Sequence, residues 1–389
     1  MIHAATVSIV HDNARLAGQE AAQELLLELG AEPEAVLLFA SARYDQGEVL
    51  AGFAGELPAS TRIVGCSSYA EINSEEALTG SVTAMGLRLG SVAFETFKLD
   101  GADGDSLAAG RVFGAQVKAF EPDLLLLFPD GLKMNGTQFL LGIQEIVGRD
   151  LPIIGGMAAD DGTFTATYEY HGRELISGGA VGLGLKGGIE VITAAKAGWL
   201  PVGARRTCTR VEGGKAILEL DGHPALHLYK EYLGERADEM PAVGIEFPLG
   251  VVGGVQGTQR LPDSEGLLLV RAVIGVDEER KALLCVGEIP AGAEVCMTRA
   301  GKEDLIEAAD AAVGVARAAM PAPQVAFIFD CMGRKLVLGA RYKDELRRSF
   351  ELLGGTPTIG FYTYGELSPV QGVTMYHDET FTLALVKGG

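Results

Sequence analysis

One pattern occurs three times along this 389-residue chain and limits its fold more than any other feature of the sequence. Each copy has a short apolar strand, a helix-compatible segment, a second apolar strand with a glycine near its end, a polar loop and a third strand. The strands of the three copies are, in chain order, 36–41, 62–67 and 82–89; 124–130, 152–156 and 180–185; and 325–330, 357–361 and 381–386. Because these strands are continuously apolar, we predict sheets that are covered on both faces.

The segments between the first and second strands of each copy predict helices. Residues 138–147 place Phe139 and Ile143 on one apolar stripe, and residues 344–353 repeat that spacing before a glycine pair. Strand-helix-strand units favour parallel pairing with a right-handed crossover, whereas the polar loop and third strand are typical of a hairpin return. We therefore predict an α/β protein with mixed sheets built from three related strand-helix-strand units.

A different region separates the second copy from the third. It spans residues 189 to about 320 and is rich in strand-like runs such as 267–274. Within it, residues 221–224 predict a turn into a helix, because the proline stands near the first helical position. We place a domain boundary there, which gives an N-terminal region of residues 1–220 and a C-terminal region of residues 221–389.

Charge excludes several classes of partner. The formal net charge of −20 repels DNA, RNA and anionic membranes. No apolar run approaches the roughly 20 residues needed to cross a bilayer, and the N-terminus lacks the pattern of a signal peptide. The five cysteines are scattered without a C-x-x-C spacing, which indicates reduced thiols. We expect a cytoplasmic protein that binds neither nucleic acid nor membrane.

Two of the three polar loops resemble each other closely. Residues 65–72 align without gaps on residues 360–367, and both share a glycine, a hydroxyl residue, a tyrosine, a glutamate and a branched apolar residue. Both segments leave the carboxyl end of a predicted strand, where open α/β sheets place their ligands. The sequence therefore predicts ligand-binding loops at these two positions.

Four motifs, taken in their order along the chain, resemble those of the FIST family (F-box and intracellular signal transduction). Members of this family carry N-terminal and C-terminal FIST regions. The resemblance extends from about residue 31 to residue 386. It rests on four motifs: residues 65–71, similar to a G-C-S-T-x-G-E box; residues 155–161, similar to a G-G-x-x-x-D block; residues 221–233, similar to the opening of the C-terminal region; and residues 331–334, 360–366 and 377–380, similar to its close. Ala70 stands where the first box usually has glycine.

What the resemblance implies is a sensory module of two FIST-like halves that binds small ligands such as amino acids. Some family members are haem-based nitric oxide sensors that act on histidine kinases. Because the sequence shows no output domain, we expect the signal to pass to a separate partner protein, such as a histidine kinase. We expect a binding module and not an enzyme.

The candidate ligand-binding residues come from the motif loops. Three tyrosines offer flat walls with hydroxyl tips, four acidic residues could bind an ammonium group, and one arginine could bind a carboxylate through two parallel hydrogen bonds. The full set is Gly65, Cys66, Ser67, Tyr69, Glu71, Gly155, Gly156, Asp160, Asp161, Cys331, Arg334, Gly360, Tyr362, Tyr364, Glu366 and His377. In this set the ammonium acceptors are Glu71, Asp160, Asp161 and Glu366.

The sequence is also compatible with two alternative functions. A haem-based nitric oxide sensor would need an axial imidazole, and His377 is the candidate because it is expected to open the final strand beside a motif loop. A Cys-dependent hydrolase would use Cys331 as its nucleophile, activated by Arg334 or by amides of the following turn, with His377 as base. His223 and His227 are spaced like zinc ligands but lack a third ligand, so we predict no metal site.

Overall fold

The computed structural model describes residues 1–101, 104–256, 259–261 and 266–389. It confirms the predicted fold class, because three related units each build most of one mixed, six-stranded sheet. The first unit comprises β1 (His3–Ile9), α1 (Ala14–Leu29), β2 (Ala35–Ser41), α2 (Gln46–Gly55), β3 (Arg62–Ser68), β4 (Glu71–Ile72), β5 (Ala77–Leu78) and β6 (Val82–Arg88). The second comprises β7 (Ala93–Leu99), α3 (Ser106–Phe120), β8 (Leu124–Pro129), α4 (Gly136–Val147), β9 (Ile153–Gly156), β10 (Glu169–His171), β11 (Glu174–Ile176) and β12 (Ala180–Lys186).

The third unit is interrupted after its first strand, β13 (Ile189–Lys196), by a segment that forms a sheet of its own. That segment contains β14 (Leu200–Glu212), β15 (Ala216–Leu220), β16 (His223–Pro224), α5 (Ala225–Leu233), two short 3-10 helices (Gly234–Glu239 and Ala242–Ile245), β17 (Leu249–Val252), β18 (Val255–Gln256), β19 (Gln259–Arg260), β20 (Leu268–Arg271), β21 (Val273–Asp277), β22 (Ala282–Cys285) and β23 (Glu294–Arg299). Its eight-stranded sheet has the order β20-β17-β23-β14-β15-β22-β21, with β16 beside β15. We call this sheet, with its connecting segments, the inserted sheet.

The third unit then resumes with α6 (Lys302–Ala319), β24 (Val325–Cys331), α7 (Met332–Leu338), a 3-10 turn (Gly339–Arg341), α8 (Tyr342–Leu353), β25 (Thr358–Thr363), β26 (Glu366–Val370), β27 (Val373–His377) and β28 (Phe381–Gly388). The prediction that residues 189–320 form one separate region was therefore wrong at both ends. Strand β13 pairs with β28, and α6 covers the same sheet, so both belong to the third unit. The predicted turn into a helix is confirmed, since α5 begins directly after Pro224.

The three six-stranded sheets share one strand order, and each borrows its last two strands from another unit. The orders are β1-β6-β2-β3-β10-β11, β7-β12-β8-β9-β26-β27 and β13-β28-β24-β25-β4-β5. In each sheet the two central strands are parallel and their neighbours antiparallel. The hairpin of the second unit completes the first sheet, that of the third completes the second, and that of the first completes the third. The units are therefore linked in a closed cycle.

One face of each sheet turns towards a shared centre. Phe39, Phe128 and Phe329 occupy equivalent positions on the first parallel strand of the three sheets, and their rings meet with centroids 5.2, 6.4 and 5.8 Å apart. The opposite faces are covered by helix pairs: α1 with α2, α3 with α4, and α6 with α8. This confirms that the apolar strands are buried on both faces. We call the three sheets and their helices the core.

Capping residues explain where several core helices begin. The side chains of Asn13, Asp45, Asp105 and Asn135 each accept a hydrogen bond from a backbone amide in the first turn of the helix that follows. Such caps satisfy amides that have no partner inside the helix. No helix in the described ranges combines the length and apolar character that a membrane crossing requires.

Candidate functional site

A glycine occupies the equivalent position on the second parallel strand of all three sheets. A Cβ added to Gly65, Gly155 or Gly360 would lie 1.8, 2.0 or 1.6 Å from a main-chain carbonyl oxygen of the parallel strand beside it. Only glycine lets the two backbones approach this closely. These three glycines, which we had predicted to line ligand loops, have a role in strand pairing.

The loops that follow these glycines meet end to end. Each donates one backbone hydrogen bond to the next in a closed ring: Tyr69 to the carbonyl of Tyr362 (3.2 Å), Tyr364 to that of Met157 (3.3 Å), and Ala159 to that of Ser67 (3.0 Å). The carboxyl ends of the three central strand pairs therefore converge. The loops predicted from the sequence lie together at this end of the core.

A buried glutamate begins each exchanged hairpin. Glu71 accepts hydrogen bonds from the hydroxyls of Ser68 and Ser81, each at 2.6 Å. Glu366 is held in the same way, by the Thr363 hydroxyl at 2.7 Å and the Thr380 amide at 3.2 Å. Burial raises the pKa of Glu71 to about 7, although the serine hydroxyls partly oppose the change. Both carboxyls are occupied within the fold, so we do not retain them as ligand contacts.

The third glutamate of this set, Glu169, was missed by the sequence analysis. It pairs with Cys66 as Glu366 pairs with Gly156 and Glu71 with Phe361, so the three positions are equivalent. Ala158 and Gly179 stand where the other units have hydroxyl residues, and no hydroxyl within the described ranges reaches Glu169. Burial, and then the neighbouring Asp130, raise the pKa of Glu169 well above its ordinary value.

Asp160 organises the long loop of the second unit. Its carboxylate accepts hydrogen bonds from the Tyr364 hydroxyl, the Thr163 hydroxyl (2.7 Å) and three successive amides that begin at Phe164. Burial opposes ionisation, but these hydrogen bonds outweigh it and lower the pKa of Asp160. The neighbouring Asp161 accepts from the Ser41 hydroxyl at 2.8 Å. Both aspartates thus hold loops in place.

The loop held by Asp160 presents Phe164 in an unusual conformation. Its φ angle of 52° lies in the left-handed region, which bulky residues rarely adopt. Its ring stacks on Tyr364, with centroids 5.0 Å apart and planes 18° apart.

Arg334, predicted to bind a ligand carboxylate, is fully buried and already paired. Its guanidinium lies 2.8 Å from Asp330, contacts Glu345, and donates to the carbonyl of Leu305 at 3.0 Å. Because two internal carboxylates neutralise this charge, Arg334 joins α7 and α8 to the sheet beneath them. We do not retain it as a ligand contact.

Cys331 and His377 lack the environment that a nucleophile and a base require. Burial, and then the carboxylates of Glu366 and Glu379, raise the pKa of the Cys331 thiol well above its usual value. His377 ends β27 and does not open the final strand, which begins at Phe381, so that expectation was wrong. Burial lowers the pKa of His377 to about 4, and its Nε2 donates to the Ser368 carbonyl at 3.0 Å.

A cavity of about 470 Å³ lies where the core meets the inserted sheet. Sites for small ligands typically measure about 300–1,000 Å³. The core side of its wall includes Gly131, Cys331, Met332, Tyr364, Asp378 and Glu379; the inserted sheet contributes Lys215, Ala272, Ile274, Cys285 and Val286. Two smaller cavities of about 310 Å³ at the inserted sheet include no residue of the three loops.

Two adjacent carboxyls give the cavity its chemistry. Asp378 and Glu379 are each 1% exposed, and one oxygen of each has no hydrogen-bond partner among the described residues. The other Asp378 oxygen accepts from the Gly287 amide at 3.0 Å and lies 3.8 Å from Arg271. Burial raises the pKa of both carboxyls, and Asp378 raises that of Glu379 further. A ligand that carries hydrogen-bond donors could therefore bind to these two carboxyl groups, whose hydrogen bonding within the fold is incomplete.

Tyr69 and Tyr362 take part in a separate arrangement around Lys335 of α7. The ammonium of Lys335 lies 4.8 Å from the ring centre of Tyr69, 4.8 Å from that of Tyr342 and 5.6 Å from that of Tyr362. Aromatic faces attract a cation in this geometry. These tyrosines therefore surround a lysine of the same chain.

Comparison with known proteins gives the family. The model of the FIST N domain matches residues 34–223, and that of the FIST C domain matches residues 225–369. The chain belongs to the FIST family. FIST domains are associated with sensing in signal transduction, and the cavity is lined by residues of both matched regions together with Asp378 and Glu379, which follow them.

Relatives of similar length exist in mycobacteria. This FIST protein is 29% identical over 390 residues to the uncharacterized protein MT0656 of Mycobacterium tuberculosis, covering 97% of this chain and 98% of that one. It is 27% identical over 387 residues to the uncharacterized protein Mb0898c of Mycobacterium bovis, covering 96% of each. Among solved structures, a cyanuric acid hydrolase from A. caulinodans aligns over 100% of this chain and 99% of its own, with 9% identity and a TM-score of 0.40. That similarity supports no inference about activity.

The cavity contains few of the residues predicted from the FIST motifs. Of the sixteen, Cys331 and Tyr364 line it, and the other fourteen do not. Asp378 and Glu379 stood in the sequence directly after His377, inside a motif that carried the family resemblance, but were not selected. Lys215 lies in no recognisable sequence motif. The fold of the inserted sheet places it at the cavity.

Proposed function

We propose that this FIST protein is a sensory module that binds a small ligand in the cavity between the core and the inserted sheet. The observation that carries the proposal is the pair Asp378 and Glu379, two buried carboxyls in the cavity wall with unsatisfied oxygens. Buried polar groups without partners are rare in folded proteins. A ligand that supplies donors would remove this deficit.

The ligand chemistry follows from the charges around the cavity. An ammonium group placed against Asp378 and Glu379 would favour their charged forms, which burial alone disfavours, and Lys215, which also lines the cavity, suits a carboxylate. These residues take the roles that we first assigned to Glu71, Glu366 and Arg334. A zwitterion such as an amino acid fits both.

The walls of the cavity also suggest how binding reaches a partner protein. Glu288 of the inserted sheet accepts hydrogen bonds from Asn135 at 2.7 Å and Gln138 at 2.6 Å, and Gln256 accepts one from the Tyr376 amide at 2.6 Å. A ligand that contacts both walls favours the arrangement in which they fit it best. The surface of the inserted sheet then differs between the free and bound states, and a kinase or other signalling protein can recognise that difference.

The residues present do not fit the two alternative functions. The cavity wall contains no histidine among the described residues, and the Nε2 of His377 is bound to a carbonyl, so this cavity gives the haem alternative no support. No group of three or more metal-binding side chains occurs in the described ranges. The raised pKa of Cys331 keeps its thiol protonated and opposes covalent catalysis. We therefore propose binding without haem and without chemical turnover.

The test is a thermal-shift screen of the purified protein with the common amino acids, followed by calorimetry on those that raise the melting temperature. We expect Asp378→Asn and Glu379→Gln each to weaken binding about tenfold or more. Glu278→Gln, at an exposed ion pair with Lys230, serves as the control and should leave binding unchanged. Failure of every zwitterion to bind, or equal binding by all variants, would overturn the proposal. A Soret band in the purified protein would favour the haem alternative.

A further inference from the structure

The mouth of the cavity differs in polarity from its interior. Phe164 and Ile274 both line the cavity, yet their side chains are 62% and 53% exposed. Asp378 and Glu379, in the same wall, are 1% exposed. The two carboxyls are therefore buried, and two large apolar side chains of the same wall lie at the opening. An amphipathic ligand would enter with its charged end first.

The position of Phe164 is fixed by its neighbours. Its amide donates to Asp160 at 2.9 Å, and the next two amides bind the same carboxylate. Asp160 also accepts from the Tyr364 hydroxyl, so one carboxylate positions both stacked rings. A bulky residue is held in the left-handed region only where the surroundings impose it, and such residues cluster at functional sites. The exposed aromatic ring is thus maintained at the mouth against a backbone cost.

The wall between the two ends is mostly apolar. Leu132, Met134, Ile245, Val286 and Met332 lie in it together with the two residues at the mouth. The side chains of these residues cannot satisfy a polar group on the ligand's own side chain, and burying one against them without a partner is unfavourable. The same wall gains free energy when an apolar side chain covers it.

We propose that Phe164, stacked on Tyr364 in a cavity that Ile274 also lines, is a specificity-determining residue that selects amino acids with a large aromatic or branched apolar side chain. The inference rests on the proposed function and narrows its ligand class from zwitterions in general to aromatic and large aliphatic amino acids. The ammonium group pairs with Asp378 and Glu379, and the side chain packs against the ring of Phe164 at the mouth. Small or acidic amino acids would not cover the ring of Phe164.

The experiment compares L-phenylalanine, phenethylamine and L-alanine by calorimetry on the full chain. The wild type should bind L-phenylalanine at least about tenfold more tightly than L-alanine. Phe164→Ala should remove most of that preference while leaving the affinity for L-alanine unchanged, and Phe164→Trp should retain it. Leu27→Ala, at an 80% exposed position on α1, is the matched control for loss of an exposed apolar side chain. Phenethylamine tests whether a carboxylate at Lys215 contributes.

The outcomes separate this inference from the proposal on which it rests. If no probe binds the wild type, the proposed function and the inference both fail. If probes bind but Phe164→Ala weakens L-phenylalanine and L-alanine by the same factor, or changes neither, the inference alone fails. A preference that Phe164→Ala removes at an unchanged melting temperature supports it, because a merely structural role for the ring would not change the ratio of two affinities.

Discussion

The side-chain amide of Gln138 donates a 2.6 Å hydrogen bond to Glu288 and joins helix α4 of the core to the inserted sheet. Asn135, which caps the same helix, donates to the other oxygen of this carboxylate. Glu288 is only 7% exposed, so water competes little for these bonds. The contact therefore joins the core to the inserted sheet, and these two parts of the protein supply the walls of the cavity.

Removal of that connection should loosen the inserted sheet. Hydrogen bonds to a charged group contribute about 1.5–3 kcal/mol each to stability. We expect Glu288→Ala to lower the free energy of unfolding by roughly 2 kcal/mol and to speed amide exchange in β22 more than in β8. Hydrogen exchange with mass spectrometry measures both strands in one experiment. Glu278→Ala, which breaks an exposed ion pair, is the control, and equal exchange in Glu288→Ala and wild type would contradict the prediction.

Gly65→Ala should severely destabilise the protein. The new Cβ would lie 1.8 Å from a main-chain carbonyl oxygen, so the backbone of one parallel strand must move. We expect a loss of about 3 kcal/mol or more, at the upper end of what overpacking costs. Gly55→Ala, in helix α2 where nothing lies within 4 Å, should be neutral or stabilise by up to about 1 kcal/mol. Chemical denaturation compares the two, and similar midpoints would refute the steric argument.

Arg334→Met should leave two buried carboxyls without their counter-charge. Asp330, Arg334 and Glu345 are all fully buried, so water cannot replace the guanidinium. Breaking such a group by removing one partner costs about 3–5 kcal/mol. Arg347→Met, which breaks a pair with Glu351 that is more than half exposed, should cost at most about 0.5 kcal/mol. If urea denaturation gives the same loss for both variants, the buried group contributes no more than a surface pair.

Glu71 should make the protein less stable as the pH rises. Burial raises its pKa from 4.5 to about 7, so between these values the folded state holds a proton that the unfolded chain has released. Stability from this group is therefore complete below about pH 4.5 and declines as the pH rises through 7. At about 1.4 kcal/mol per pKa unit, the total change is roughly 3 kcal/mol.

The Glu71→Gln variant isolates this effect, because it cannot ionise. Relative to wild type, the variant should gain stability between pH 5 and pH 8, as measured by denaturation at both values. Glu75→Gln, on the exposed turn nearby, should show no such gain. A constant difference between Glu71→Gln and wild type across this range would show that the carboxyl titrates normally.

Cys331 should react slowly with alkylating agents in the folded protein. Burial and the nearby carboxylates raise its pKa, so the thiolate fraction at neutral pH is small. We expect iodoacetamide at pH 7.5 to label it on the order of 100-fold more slowly than in the urea-unfolded chain. Peptide mass mapping identifies the labelled cysteine. Rapid, stoichiometric labelling of Cys331 would instead support the hydrolase alternative.

The repeated units could be predicted from the sequence because their strands are long, apolar and regularly spaced. The exchange of hairpins could not, since β4 and β5 have two residues each and carry no periodic pattern. Their partners depend on contacts with a unit almost three hundred residues away, as the pairing of Glu71 with Phe361 illustrates. Strands as short as these form because a neighbouring sheet supplies their hydrogen-bond partners.

The sequence motifs did not indicate Glu169 or the candidate cavity, for physical reasons. Glu169 escaped notice because the loop before it is longer than its counterparts, so no gapless alignment relates it to Glu71 and Glu366. The cavity was missed because a separate sheet supplies part of its wall, and Lys215 has no local motif. Residues that the two aligned loops share, such as Gly65, allow close pairing of the strands. The cavity carboxyls that lack hydrogen-bond partners lie outside these two loops.

The cyclic exchange of hairpins also limits how the chain can be divided. A shortened chain that ends at residue 220 would lack β26 and β27, which would leave β9 as a bare strand edge, and its own β4 and β5 would have no sheet to join. Exposed edges of this kind promote aggregation. The boundary between the two FIST regions therefore does not separate two folding units, and a stable half-protein would need its missing hairpin supplied by a second chain.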